Sequence, residues 1–229
     1  PLGKTLEITE DYVDKLSAEH DMVFLCNPNN PTGILTPRSV VKKLLDKAEA
    51  LDVRVCLDEC FLDFVEHEEA YSAAGWLTEY PNLIILKSFT KMYAIPGLRL
   101  GYVLSADAEL LNRMRLAGQP WSVSEPAQAA GIAALKAGGF REKTIALIDR
   151  ERAFLKEQLE ELEFRVCDGR ANYLCFQAEG DETLADRLQA EGILIRRCAN
   201  YHGLGGDYYR TAVRGHEENE ELLACLKKV

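Results

Sequence analysis

Short runs of Val, Ile and Leu alternate along the chain with stretches whose apolar residues recur every three or four positions. That is the pattern of an α/β layered fold with a largely parallel sheet. Met22 to Cys26, Val53 to Asp58, Leu83 to Lys87 and Leu100 to Leu104 read as buried strands. Between the first two, Thr36 is expected to cap a helix that has Pro37 in its first turn and runs to Ala50. After Pro120-Trp121 long helices take over. Ile145, Ile148, Leu155, Leu159 and Leu162 share one face of a helix expected to cross between two subdomains. From Phe164 the chain reads as FRVCD, NYLCFQ, a helix from Thr183 to Ala190, ILIRRC, YYRTAV and a last helix. The expected organisation is a partial large domain over 1–118, connecting helices over 119–162 and a small C-terminal α+β domain over 163–229. Pro1 opens mid-pattern, and Leu2 to Ser17 supply only a short strand and part of a helix, as expected of a piece of something longer.

Composition narrows the partners. With 47% hydrophobic residues, 229 residues bury a real core. Twenty-seven basic residues against 37 acidic give a formal charge of -10, which repels nucleic acid and anionic lipid. An anionic substrate must then meet a local cluster of Arg or Lys. The seven cysteines are odd in number and mostly sit in apolar runs, which reads as reduced thiols of a cytoplasmic protein. Cys56 and Cys60 lack a second pair, so no metal site is expected. No apolar run reaches the roughly 18 residues of a membrane span.

Three segments carry chemistry, each directly after a strand. Asn27-Pro-Asn-Asn-Pro-Thr-Gly33 is a rigid turn at a strand's C-terminal edge, where open α/β sheets bind ligands. Asp58 and Glu59 put two carboxylates at the end of a buried strand, a costly position without a cation or proton donor. In Ser88-Phe-Thr-Lys-Met-Tyr-Ala-Ile-Pro-Gly-Leu-Arg-Leu-Gly-Tyr102, Ser88, Thr90 and Arg99 suit an anionic phosphate beside Lys91.

Together these segments resemble the pyridoxal-phosphate (PLP) aminotransferase superfamily of fold type I, class I/II. The resemblance implies a three-layer PLP-transferase-like large domain, here partial, and a small C-terminal domain. It implies Lys91 as the Schiff-base lysine, Asp58 on the pyridine nitrogen and Asn30 on the cofactor's phenolic oxygen. It gives Ser88, Thr90 and Arg99 to the phosphate. The family usually has Tyr three residues after the Asp. Phe61 stands there in this chain, which removes one donor to the phenolic oxygen and leaves Asn30 more of that work.

MYAIPGLRLGY, PWSV, GRANY, and IRRCANY followed by YYR narrow the resemblance to the threonine-phosphate decarboxylases of cobalamin biosynthesis, related to the histidinol-phosphate aminotransferases. By that resemblance Arg210 grips the substrate α-carboxylate and Arg196 its phosphate, the substrate being a small phosphorylated amino acid. Asn172 and Tyr173 are expected at the pocket mouth, while Arg197 and Arg214 read as solvated surface charges. The implied reaction is decarboxylation of L-threonine O-3-phosphate to aminopropanol phosphate. The alternatives are a histidinol-phosphate-type aminotransferase and a non-catalytic PLP-fold sensor or inactive fragment. Full family members carry a longer N-terminal part with a Gly-rich phosphate-binding turn and work as homodimers. This chain alone is therefore expected to bind PLP weakly and to turn over poorly.

Overall fold

A computed structural model describes residues 5–229. The start of the strand expected after Leu2 lies outside the described residues, and Leu6 to Thr9 form no strand. In chain order the elements are α1 (Glu10–Asp14), β1 (Met22–Cys26), α2 (Arg38–Ala50), β2 (Arg54–Asp58), β3 (Leu83–Ser88), α3 (Phe89–Met92), β4 (Gly101–Leu104), α4 (Ala108–Ala117) and α5 (Glu125–Lys136). They continue with α6 (Phe140–Glu161), β5 (Arg165–Val166), β6 (Tyr173–Gln177), α7 (Leu184–Ala190), β7 (Arg196–Arg197), β8 (Tyr208–Ala212) and α8 (His216–Leu226).

The chain divides into two compact units. One holds Ile8–Asn27 and Thr36–Arg141, the other residues 5–7, Pro28–Leu35 and Glu142–Val229. The first unit is built on a sheet of order β1-β2-β3-β4, with β1, β2 and β3 parallel and β4 antiparallel to β3. Its core is β2 and β3 with the apolar face of α2, whose Val41, Leu44, Leu45 and Ala48 are buried at helical spacing.

Two expectations need correction here. β1 and β4 are edge strands rather than buried ones. Phe24 is 65% exposed and Tyr102 44%, because among the described residues each strand has a neighbour on one side only. Helix α2 starts at Arg38, Pro37 is its N-cap, and Thr36 is buried without capping it. The backbone N–H of Thr36 is instead given to Asn27 Oδ1 at 2.8 Å, so Asn27 fixes where the loop rejoins the helix.

The second unit carries the antiparallel sheet β5-β6-β8-β7. Leu155 and Leu159 of α6, Leu174 and Phe176 of β6, Tyr209 of β8 and Leu223 of α8 form its core. Ile145, Ile148, Leu155 and Leu159 are buried on one face of α6 as the spacing predicts, whereas Leu162 lies beyond the helix end and is partly exposed. The same face also buries Glu151 and Arg152. Arg152 donates to the carbonyls of Arg170 and Ala171, both at 3.3 Å, and so pins the loop between β5 and β6. ILIRRC shrinks to the two-residue β7, since only Arg196 and Arg197 pair with β8.

Candidate active site

In the first unit the expected residues gather at the ends of β2 and β3. Asp58 closes β2 half-buried, and its Oδ1 accepts the Cys60 N–H at 3.0 Å. Burial, together with the hydrogen bond and charge of Asp58, pushes the Cys60 thiol up. Where β3 ends, Ser88 caps α3. Its Oγ accepts the Thr90 N–H at 3.2 Å and lies 2.7 Å from Thr90 Oγ1, so the two hydroxyls face one another.

The β3–β4 pairing continues past Ser88–Gly101 with Phe89 N–H donating to Leu100 O at 3.2 Å, which brings the chain around Arg99 alongside the lysine turn. Arg99 is exposed with φ +52°, and its guanidinium donates to the Pro96 carbonyl at 3.0 Å. The Lys91 ammonium is exposed and sits 5.4 Å from the centroid of the Phe61 ring. The residue that replaces the family's usual Tyr thus presents an aromatic face to the lysine.

The second carboxylate at the end of β2 has a different role. Glu59 is 1% exposed and accepts from Ser72 Oγ at 2.8 Å and the Ala73 N–H at 2.9 Å. Its cation is Lys87 of β3, 3.3 Å away, which also meets Asp63 at 3.1 Å and Glu68 at 3.7 Å. This cluster ties the end of β3, one residue before Ser88, to the end of β2. The two carboxylates at the strand end signalled the need for a cation, but sequence reasoning missed that Lys87, closing the apolar run Leu83 to Leu86, supplies it.

In the second unit residues 28–33 of the NPNNPTG segment and the β7–β8 pair form one assembly. Gly33, at φ +74°, lies so close to Gly169 that a Cβ on Gly169 would sit 2.8 Å from Thr32 O and 3.1 Å from the Gly33 Cα. Arg170 N–H closes the contact by donating to Gly33 O at 2.8 Å. Seated this way, Asn30 offers its Oδ1 to Arg210 Nη1 at 2.6 Å and to the Tyr201 hydroxyl at 3.2 Å. Two donors thereby fix the amide oxygen and leave the NH₂ side as the donor.

Tyr173 is buried rather than open at a mouth. Its hydroxyl donates to Asn29 O at 3.0 Å, and its ring lies 4.8 Å from the Arg210 guanidinium. Asn172 is half-buried and gives its carbonyl to the Val213 N–H.

Charge separates the arginines. Arg197 pairs with Asp186, and Arg214 with Glu218 at 2.6 Å. Arg196 and Arg210, opposite each other across β7 and β8, have no carboxylate partner among the described residues. Arg196 lies 5.9 Å from the Tyr201 ring. In a chain of net charge -10, two adjacent unneutralised guanidinium groups suit anions. The same loop region holds a cavity of about 140 Å³ bordered by Asn30, Thr32, Tyr201 and His202.

Known proteins are similar to this chain in sequence and in fold. The chain is 41% identical over 225 residues to threonine-phosphate decarboxylase of Salmonella typhimurium, covering 97% of this chain and 61% of that protein. It is 36% identical over 211 residues to histidinol-phosphate aminotransferase 2 of Archaeoglobus fulgidus, covering 91% and 58%. The crystal structure of the histidinol-phosphate aminotransferase from Clostridium acetobutylicum superposes with a TM-score of 0.93 at 31% identity, over 99% of this chain and 69% of that one. The chain thus spans about three fifths of the length of these curated relatives. Residues 5–226 match the family model of aminotransferase class I and II, and the chain belongs to that family.

Proposed function

We propose that this chain is the greater part of a PLP-dependent enzyme of small phosphorylated amino acids, and that its reaction is the decarboxylation of L-threonine O-3-phosphate to aminopropanol phosphate in cobalamin biosynthesis. The observation that carries the reading is the pair of unneutralised guanidinium groups on β7 and β8, one of them bonded to Asn30. The 41% identity to a threonine-phosphate decarboxylase points the same way.

The residues fit the cofactor of this family. Asp58 has one oxygen taken by Cys60 and a second for a ring N–H; Asn30 keeps an amide donor for an oxyanion; Ser88, Thr90 and Arg99 supply hydroxyls and a cation for a phosphate. Lys91, with no carboxylate partner among the described residues, is the amine for covalent attachment. When bound, PLP supplies an electron sink for the pair left behind as a bond to the α-carbon breaks. The chain's own residues decide which bond that is. Arg210 binds the α-carboxylate in a bidentate grip and Arg196 the phosphate, so the substrate is held at both ends. How Arg210 and Arg196 hold the substrate would set which bond breaks. A hold that presents the carboxylate bond would release CO₂, with the Lys91 amine placed to return a proton to the α-carbon, and a hold that presents the α-hydrogen would let the Lys91 amine take that proton instead.

That second outcome is transamination, and the TM-score of 0.93 to a histidinol-phosphate aminotransferase is the observation that favours it. The whole protein is a cytoplasmic homodimer in this reading, and its remaining residues complete the phosphate site. Product analysis of the full-length protein with threonine phosphate is the test. Release of CO₂ without a keto-acid acceptor supports the decarboxylase. Dependence on 2-oxoglutarate replaces it with the aminotransferase, and no turnover of any amino acid leaves a ligand sensor.

A further inference from the structure

The second unit contains a thiol pair placed to act on Asn30 and Arg210. The β5–β6 register, Arg165 opposite Gln177 and Val166 opposite Phe176, continues to Cys167 opposite Cys175, and the Cys167 N–H donates to Cys175 O at 2.8 Å. Directly opposed hydrogen-bonded residues have Cα atoms about 5.5 Å apart, within the roughly 4.4–6.8 Å a disulfide spans. Their Cβ atoms, about 4.5–5.5 Å apart, stand slightly wide of the roughly 3.5–4.5 Å preferred, so the bond would carry strain and be readily reduced. Cys198 is the other buried thiol of this sheet, and its Sγ lies 3.9 Å from the Arg196 carbonyl. It follows β7, however, and β8 lies between β7 and β6, so the backbones are about 9–10 Å apart, too far for a bridge.

We propose that Cys167 and Cys175 form a reversible disulfide, a modification site that loosens the seat of Asn30 and Arg210. The oxidant is hydrogen peroxide, the simplest hydroperoxide. Cys175 and Cys198 are wholly buried, whereas Cys167 is half-buried and so meets the oxidant first. The hydrogen bond from Cys175 holds the Cys167 thiol below its ordinary range, which favours the attacking thiolate. The Cys167 sulfur attacks a peroxide oxygen, the O–O bond breaks, and the departing oxygen leaves as water with the Cys167 proton, giving a sulfenic acid. The Cys175 sulfur then attacks the sulfenic sulfur. The S–S bond forms, the S–O bond breaks, and a second water leaves with the Cys175 proton. Two thiols thus lose two electrons and two protons to one hydroperoxide.

The bridge would pull on both halves of the substrate grip. The Cys167 carbonyl accepts from Gly169 N–H at 2.8 Å, and Gly169 and Arg170 are the residues packed on the Asn30 loop at Gly33. Cys175 is the partner of Arg210 across β6 and β8. The functional consequence rests on the roles proposed above for Asn30 and Arg210; the disulfide itself does not.

The test treats the full-length protein with hydrogen peroxide, blocks remaining thiols, and digests with trypsin without reductant. Cleavage after Arg165, Arg170 and Arg187 separates the two cysteines, so the bridge joins Val166–Arg170 to Ala171–Arg187. That linked peptide is expected to vanish with dithiothreitol and in Cys167→Ser, and to persist in Cys198→Ala. Amides of residues 28–35 are expected to lose hydrogen-exchange protection in the oxidised form and regain it on reduction. A bridge through Cys198, oxidation that stops at a sulfinic acid on Cys167, no oxidation, or a Cys167–Cys175 bridge with unchanged exchange would each overturn the proposal. None of these readouts needs catalysis, so failure here is distinct from failure of the decarboxylase reading.

Discussion

Replacing Lys87 with Met tests how the end of β3 is held. Lys87 is 8% exposed and lies within 4 Å of Asp63, Glu59 and Glu68, and Glu59 is 1% exposed. Burial alone would depress the ammonium, but Asp63, Glu59 and Glu68 together hold its pKa above the ordinary value. Removing it leaves a buried carboxylate whose remaining partners are Ser72 and the Ala73 N–H. Breaking a buried pair in this way costs about 3–5 kcal/mol, against at most about 1 for an exposed pair. At about 2–4 °C per kcal/mol, the midpoint should fall by about 6–20 °C.

Thermal unfolding of wild type and variant across pH is the assay. Because the folded pKa of Lys87 is raised, its contribution is complete below about pH 10.4 and disappears as pH rises through the folded value; the variant should lack that alkaline loss. On the acid side, burial raises the Glu68 carboxyl, so its contribution is present below about pH 4.3 and lost as pH rises through its folded value. The deficit of Lys87→Met should therefore shrink as pH is lowered. A loss below about 1 kcal/mol at neutral pH would refute the reasoning, since it would mean that Lys87 is solvated.

Gly169→Ala forces a Cβ to within 2.8 Å of Thr32 O, a backbone atom that cannot swing aside, and should cost about 1–3 kcal/mol in urea unfolding. A wild-type midpoint would mean that the Gly33 loop is not seated against Gly169. Arg210→Lys keeps the charge but loses the planar fork, and should raise KM for threonine phosphate by about 10-fold or more, the worth of about 1.5–3 kcal/mol of charged hydrogen bonding. An unchanged KM would remove Arg210 from the carboxylate grip.

Much of this was legible in the sequence because its signals are local. Each chemical segment follows an apolar run directly, and the strands at Met22–Cys26, Arg54–Asp58, Leu83–Ser88 and Gly101–Leu104 stand within a residue of where the runs place them. What the runs cannot carry is sheet position. β1 and β4 have apolar sequences like β2 and β3, yet the order β1-β2-β3-β4 leaves Phe24 and Tyr102 at open edges. Nor could local pattern show that Thr36 would be captured by Asn27 rather than cap its helix, because the two residues stand nine positions apart. The glycine of NPNNPTG and the glycine of GRANY are 136 residues apart, and only the fold shows that each is there for the other. The Lys87 cluster was hidden for the same reason, being assembled from β2, β3 and the turns between them.

The most direct measurement of the central claim is borohydride reduction of the full-length protein in the presence of PLP, followed by peptide mapping. The account predicts one PLP adduct, on Lys91, within a peptide running from Ser88 to Arg99 because trypsin skips the modified lysine, and no adduct in Lys91→Ala. An adduct on another lysine, or none in the intact protein, would contradict the assignment of Lys91, and with it the cofactor roles proposed for Asp58, Asn30 and Arg99.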